Sequence, residues 1–482
     1  MSRATPEPYD ETATTLNVPT GTSLYGGFDA GWVRDVTTNK TLVSGHNQAL
    51  TLMDVDEPAW VSGFDLYAAD STASSDDVWV LFANRGTATL YIEDNLIDAG
   101  DVAAGAAENA GSSYAVLLIG LNSAEIRGNN MSAGNGGDGA EGTDGYNGSE
   151  ANPGNNAHGR WGGAGRDTHG DGRSGGNGGD GGSNNPAEEK VGSDGESGEG
   201  PLGGAGGSNT EGNQGEDGGH GGGGSTGSSG FGGNSFGNVS SGFVPSNGGD
   251  GQRGGHGSGG GGGRGGNGTT TLFFAYTGGG GGGGGAGGGG GDGGAGGTGG
   301  GASIGLWLED VTVSRIEMNT ITARNGGAGY SGGEGGLGSM GAAGGTGASA
   351  RWPADSGGDG GHGGNGGYGG NGGGGGGGPS YGVMVGLNLA PEITSNAISS
   401  DAGGMGGMGI GGRCGFIFLP PFPPFRDFHM GGDGGASYAI YDADISDGIV
   451  PALLDNSLTF GTGGEVQTGS DGCEGSAGET NF

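Results

Sequence analysis

Between Gly357 and Gly373 the chain reads GGDGGHGGNGGYGGNGG, two glycines alternating with one other residue for five cycles. A period of three fits neither an α-helix, whose faces recur every 3.6 residues, nor a strand, whose faces recur every two. It fits polyproline-II geometry, with three residues per turn and a rise of about 3.1 Å. On such a helix Ser356, Asp359, His362, Asn365, Tyr368 and Asn371 line one face. The other two faces are bare, so helices can pack side by side and bond N–H to C=O between neighbours. Asp292, Ala295 and Thr298 repeat the scheme, glycine recurs every third place from Gly329 to Gly347, and 137–148 does likewise. Collagen is a poor alternative, because the chain holds only 16 prolines. The 140 glycines, about four times the usual ~7% share, carry a large entropy cost that a regular bonding scheme must offset. Hydrogen-bonded polyglycine-II bundles are the expectation.

Apolar segments lie between the glycine tracts, and they align. GSSYAVLLIGLNSAEIRGNNMSAGNGG starts at Gly111, GASIGLWLEDVTVSRIEMNTITARNGG at Gly301 and GPSYGVMVGLNLAPEITSNAISSDAGG at Gly378. With Tyr114, Ile304 and Tyr381 equivalent, Ile126, Ile316 and Ile393 follow at one offset. Asn129, Asn319 and Asn396 follow at a second, and Met131, Ile321 and Ile398 at a third. Upstream, Val80 leads to Ile92, Asn95 and Ile97, and Ala49 leads to Val61, Phe64 and Leu66; a last copy begins near Gly434. Each copy has short alternating apolar runs parted by turn residues, the pattern of strands. A unit this small cannot bury its own apolar face, so copies must stack. The predicted fold is all-β, a right-handed parallel β-helix with inward ladders of Val, Ile and Leu. Asn95, Asn129, Asn319, Asn396 and Asn456 are expected to stack at one corner, in the left-handed conformation that Asn tolerates.

The excess length between copies is where the glycine lies, so the glycine tracts read as insertions leaving one edge. The division is 1–133 (an N-terminal arm and the first coils), 134–300 (a large insertion), 301–323 (a coil) and 324–378 (a second insertion). A coil at 379–400, a third insertion at 401–434 and the last coil and tail at 435–482 complete it.

VPTGTSLYGGFDAGW at 18–32 and SSYAVLLIG…IRGNNMSAGNGGDGAEGTDG from Ser112 resemble glycine-rich, pectin-lyase-like parallel β-helix surface proteins of bacteria of the myxobacterial type. The glycine tracts also resemble the polyglycine sandwich of phage tail-tip adhesins. These resemblances imply a β-helix at a cell surface, or on a virion tail, with tip loops that contact a receptor.

With 16 Lys+Arg against 53 Asp+Glu the net charge is −37, which repels nucleic acid and anionic membranes. No apolar run approaches the ~18 residues of a membrane span, and MSRATPEPYDETATT carries no apolar core of a secretory signal. No recurring catalytic constellation emerges: the histidines are scattered, and Asp76–Asp77 and Asp442, Asp444 and Asp447 read as solvated turn residues. GGNGGDGGS at 175–183 lacks the apolar residue of a calcium nonapeptide, so no cofactor is expected beyond weak calcium binding. Cys414 and Cys473 can form one disulfide in an oxidising setting.

CGFIFLPPFPPFRDF brings Phe416, Phe418, Phe422, Phe425 and Phe428 into one candidate contact loop. TTTLFFAYT at 269–277 is a β-prone run, and Trp161, Trp352 and Phe231 are expected to fold down as caps over the glycine helices. The expected function is a non-enzymatic extracellular structural protein that self-assembles into a filament or coat by end-to-end stacking. Residues 1–18 would form an arm adding to a neighbour's edge. The alternative is an adhesin binding a cell-surface glycan or receptor through its insertion loops.

Overall fold

The computed structural model describes residues 9–11, 15–105, 109–166, 173–183, 191–208, 214–234, 242–271, 274–387, 389–409, 416–417, 425–426, 431–446, 448–467 and 472–482. It is all-β, with no helix among these residues. Apart from two short antiparallel pairs, its strands form one sheet of eight and one of thirteen, every pairing in these two parallel, an arrangement compatible with a solenoid. The larger sheet splits into two branches, because the long strands Val78–Glu93 and Ser113–Arg127 each run through both.

Register makes each repeat copy face the next, residue on residue. In the eight-stranded sheet Val43, Leu66, Ile97, Met131, Ile321, Ile398 and Leu458 stand opposite one another in turn. One branch of the larger sheet contributes Leu50, Leu81, Val116, Leu306, Val383 and Ile440. The other contributes Leu24, Val61, Ile92, Ile126, Ile316, Ile393 and Leu453. The three rows share one apolar core. Each fully buried Val, Leu or Ile in it contributes about 1.5–3 kcal/mol relative to exposure.

The alignment needs one correction. Trp79, not Val80, stands opposite Tyr114, while the expected offset of the two earlier copies holds, Gln48 standing opposite Trp79 and Leu50 opposite Leu81. The register shifts between Leu121 and Ser123, so one extra residue in the earlier copy is absorbed as an irregularity. Conserving the inward row on both sides of the shift outweighs constant spacing, because a one-residue slip would turn the core face outward.

The left-handed corner is also one residue from where it was expected. Positive φ falls on Gly63 (83°), Asp94 (56°), Gly128 (66°), Met318 (54°), Ser395 (56°) and Asp455 (53°). Each immediately precedes a ladder position, so the turn is made before the asparagine. The asparagines themselves are free to bond from copy to copy.

The strands Ser303–Glu309 and Ser380–Val385 are buried at nearly every position rather than alternately. Their outward side chains form a second apolar cluster. Its rows are Trp79, Tyr114, Ile304, Tyr381 and Tyr438, and Phe82, Leu117, Trp307, Met384 and Tyr441. The rings of Tyr381 and Tyr441 stack at 4.3 Å. Phe243 packs in this cluster, and its N–H donates to Tyr114 Oη at 2.9 Å.

Residues 9–11 of the N-terminal segment pair with Thr41–Gly45, and Leu16–Val18 pairs with Gln48–Met53 of the same chain. Residues 9–11 and 16–18 are thus used at home, which overturns their reading as part of an arm reserved for a neighbour; 1–8 and 12–14 lie outside the described residues.

Candidate functional site

The glycine tracts build a platform whose bonding follows the period of three. In tract 278–301, Gly279, Gly282 and Gly285 donate their N–H groups to Asp355, Gly358 and Gly361. Gly280, Gly283 and Ala286 donate to Gly159, Asn155 and Asn152, while Gly281, Gly284 and Gly287 donate to Gly179, Gly176 and Arg173. Three successive residues thus address three different neighbours. The carbonyls of Gly279 and Gly280 accept from two more tracts, through Gly266 and Ala348. Only glycine permits this approach: a Cβ on Gly284 would lie 1.9 Å from the carbonyl oxygen of Gly260.

Further out the third residue becomes a side chain, and its chemistry has a reason. Where an outer N–H finds no carbonyl, a neighbouring tract supplies a side-chain acceptor. Gly347, Gly341 and Gly335 donate to Asp359, Asn365 and Asn371 at 2.8–3.0 Å. The N–H of His362 donates to His220 Nδ1, and that of Gly290 to His256 Nδ1, both at 3.0 Å. Much of the Asp and Asn in the tracts is therefore acceptor chemistry for backbone N–H groups. Arg264 fills one third place inside the platform, only 1% exposed. Its Nη2 donates to Gly192 O and Asn267 Oδ1, and its Nε lies 3.3 Å from Asp194.

Two surfaces stand out on this frame. The first is the rim where the tracts turn. Bonds from Gly280 to Gly159, from Gly279 to Asp355 and from Asp355 to Asn267 tie three turns together. They carry Trp161, Phe274 and Trp352, which are 58%, 67% and 89% exposed. The Arg160 guanidinium sits 4.7 Å over the Trp161 ring. Trp161 and Trp352, and Phe231 as well, are exposed, which corrects their reading as caps. Glycine tracts bonded on all sides leave no apolar surface for a cap to cover.

The second surface is the pair of strand edges that end the stack. Among the described residues, Ser457–Thr459, Ala452–Leu454 and Ala477–Thr480 each pair on one side only. The same holds at the other end for Tyr9–Glu11, Leu16–Val18 and Leu24–Tyr25. Leu453, Leu454, Ile445, Val450 and Phe460 are exposed at the C-terminal end, and Tyr25, Trp32 and Val33 at the N-terminal end.

The asparagines are brought together. Asn95, Asn129, Asn319, Asn396 and Asn456 form a chain in which each Nδ2 donates to the next Oδ1 at 3.0 Å. Each Nδ2 also reaches the carbonyl three residues before the preceding ladder position, from Val61 to Ile393. Phe64, in the asparagine place, closes the ladder by donating its N–H to Asn95 Oδ1.

Phe418, Phe422, Phe428, Cys414 and Asp447 lie outside the described residues. Phe416 and Phe425 are described only as backbone of a short antiparallel pair, Phe416–Ile417 with Phe425–Arg426. Cys473 is disulfide-bonded. Asp444 accepts from Ser446 N–H as a turn residue does, whereas Asp442, which accepts from Asp444 N–H, is buried at the end of the strand Ser437–Asp442, which corrects its solvated reading. Asp77 departs from the solvated reading too. Its Oδ1 accepts from Ser112 N–H at 2.7 Å, and burial pushes its carboxyl up to about 6. Among the described residues no group of three or more His, Cys, Asp or Glu is placed to hold a metal.

The aromatic face of the larger sheet was missed from the residues alone. Unbroken apolar runs, YAVLLIG at 114–120 and YGVMVG at 381–386, were the available signal, since a strand buried on both faces does not alternate. Compared with protein-family models, curated proteins and solved structures, the chain finds no match.

Proposed function

We propose that the chain is a right-handed parallel β-helix carrying a polyglycine-II sandwich, and that it is a non-enzymatic extracellular structural subunit that joins end to end. The observation that carries the assembly reading is the order of strands in the sheets. Each of the three rows begins with a strand from the N-terminal segment and ends with one from the C-terminal segment, all in the same direction. A second copy placed on the C-terminal end in the same sense continues the eight-stranded sheet and the Leu50 branch, each eight strands deep, and leaves one strand place in the seven-deep Leu24 branch. Leu24 and Tyr25 of that copy lie on the lines of Leu453 and Leu454, one strand place further on.

Such a contact is heterologous, so it propagates instead of closing. The unpaired N–H and C=O groups of Ser457–Thr459 and Ala477–Thr480 gain partners from Tyr9–Glu11 and Leu16–Val18 of the next copy. The disulfide at Cys473 agrees with an oxidising compartment, and the charge of −37 suits a surface kept clear of nucleic acid.

The test is electron microscopy with sedimentation across a concentration and calcium series. Filaments with one axial repeat per chain are expected, and single particles at every concentration overturn the reading.

One observation favours a second reading, an adhesin that grips a cell-surface glycan or receptor. The rim formed by Trp161, Phe274 and Trp352 presents aromatic faces of the kind that stack on sugars. A glycan screen with the Trp352→Ala and Trp161→Ala variants tests it. Binding that survives both substitutions rules the rim out.

A further inference from the structure

We propose that the rim of the glycine platform binds a chain of uronic acids, each of its two Arg–Trp pairs taking one carboxylated sugar; this rests on the adhesin reading and names the class of glycan.

Two of the six tryptophans directly follow an arginine, at Arg160–Trp161 and Arg351–Trp352. Both pairs stand where glycine tracts turn, and both indoles are exposed, Trp352 at 89% more than any other large apolar side chain among the described residues. The other four tryptophans lie outside the platform and follow no basic residue.

One glycine holds the two turns together. Gly280 donates its N–H to Gly159 O at 2.9 Å, and its carbonyl accepts from Ala348 N–H at 2.8 Å. A Cβ on Gly280 would lie 2.4 Å from Trp161 O, so the Trp161 backbone passes directly over it. The first turn is closed by His158 and Trp161, each donating its N–H to the other's carbonyl. The second is closed by Ala354 N–H on Arg351 O at 3.0 Å. Both pairs are therefore carried on short, pinned turns that flank the same residue.

The charges are arranged to suit an anion from outside. The Arg160 guanidinium, 4.7 Å over the Trp161 ring, donates through Nη1 to Ser183 Oγ at 3.4 Å, which holds it beside the indole. Arg351 is exposed and, among the described residues, forms no ion pair. Carboxylates near these turns are engaged elsewhere: Asp180 accepts from Gly162 N–H at 2.8 Å, and Asp194 lies 3.3 Å from the Nε of the buried Arg264. Burial raises the Asp355 carboxyl, and the nearby Arg264 lowers it. In a chain with 53 Asp+Glu, Arg351 is positive charge left without an internal partner.

A uronic acid carries an apolar face of C–H groups and a carboxylate on the edge of the same ring. An indole covers the first, and a planar guanidinium takes the second through two parallel N–H···O bonds. Two pairs engage two sugars of one polymer, which raises affinity beyond that of either alone. At physiological salt a Debye length of about 8 Å screens the acidic bulk of the chain and leaves the contacts at the rim in force.

The test measures binding of alginate (a polymer of uronic acids), dextran sulfate and neutral dextran at about 0.15 M salt. Wild type is expected to hold alginate and to release dextran. Arg351→Glu and Trp352→Ala, both at exposed positions, should keep the melting temperature and weaken alginate binding at least about tenfold. Arg351→Lys should weaken it too, since an ammonium lacks the planar fork. Dextran held as well as alginate overturns the acidic assignment and leaves the rim standing as a glycan site. Dextran sulfate held in preference to alginate overturns the carboxylate. Alginate binding unchanged in both Arg351→Glu and Trp352→Ala overturns the site. A wild type that holds none of the three overturns the proposal, whereas the adhesin reading falls only if the wider glycan screen is also empty.

Discussion

The carboxamide of Asn319 donates to Oδ1 of Asn396 at 3.0 Å, across 77 residues of sequence, and the Asn319 N–H donates to the same oxygen at 2.8 Å. Its own Oδ1 accepts in turn from Asn129 N–H and Nδ2, while its Nδ2 also reaches Ile126 O. Every polar atom of a buried side chain is thereby used, and the ladder closes only if each member can both give and accept. Asn319→Ala leaves Asn129 N–H unpartnered in the interior and should cost about 2–4 kcal/mol. Asn319→Asp should cost at least as much, because a carboxylate has nothing to donate to Asn396. Chemical denaturation of both variants checks this, and an aspartate as stable as wild type would contradict it.

Position in the glycine platform should decide the effect of adding a single methyl group. Gly284→Ala drives a Cβ into the Gly260 carbonyl at 1.9 Å, with only backbone to move, and should cost about 3 kcal/mol or more. Asp359→Ala, on the exposed face, removes only the acceptor for Gly347 N–H, which water can replace, and should cost about 1 kcal/mol or less. The comparison is made by thermal unfolding of the pair, and equal losses would exclude the close-packed arrangement.

Asp77 makes stability depend on pH in a defined direction. Its carboxyl titrates at about 6 in the folded chain against an ordinary 3.8, so between these values the folded state holds the extra proton. Stability from this group is therefore full below pH 3.8 and falls as pH rises through about 6, by roughly 3 kcal/mol. Asp77→Asn keeps an oxygen for Ser112 N–H and never ionises. It should be more stable than wild type at pH 7 and lose that slope, as measured by unfolding at pH 4.5 and 7. A variant with an unchanged pH profile would place the titration elsewhere.

Met318 holds a φ of 54° at the corner before Asn319, where other copies place Gly128 or Asp94. Its side chain is exposed, so little packing is at stake. Met318→Asn should stabilise by about 0.5–1 kcal/mol through relief of the left-handed penalty. A rise in melting temperature is the readout, and a fall would show that Met318 packs more than its exposure implies.

Much of the fold was legible in the chain because stacking imposes equal spacing. The offsets from Ile126 to Asn129 to Met131 recur in Ile316, Asn319 and Ile321, and parallel pairing lays them opposite each other. The glycine period was legible for the same kind of reason: side chains at every third place end on one face, and Asp359, His362, Asn365 and Tyr368 are exposed together. The slip between Leu121 and Ser123 was not legible, since it depends on which of two neighbouring residues the partner strand accepts. Nor was the exposure of Trp352, which follows from having no apolar surface to cover.

The sequence by itself determined the two periods, the residues that can belong to each row, and the places where only glycine or an amide will serve. Those are local demands of backbone geometry and hydrogen bonding. The tertiary structure alone decided the rest. It set which tract meets which, it turned the outer aromatics of the larger sheet inward, and it raised the Asp77 carboxyl. It also left Leu454 and Trp32 bare at opposite ends of the stack. These depend on neighbours up to 190 residues away, and burial is a property of the assembled surface that no residue carries alone.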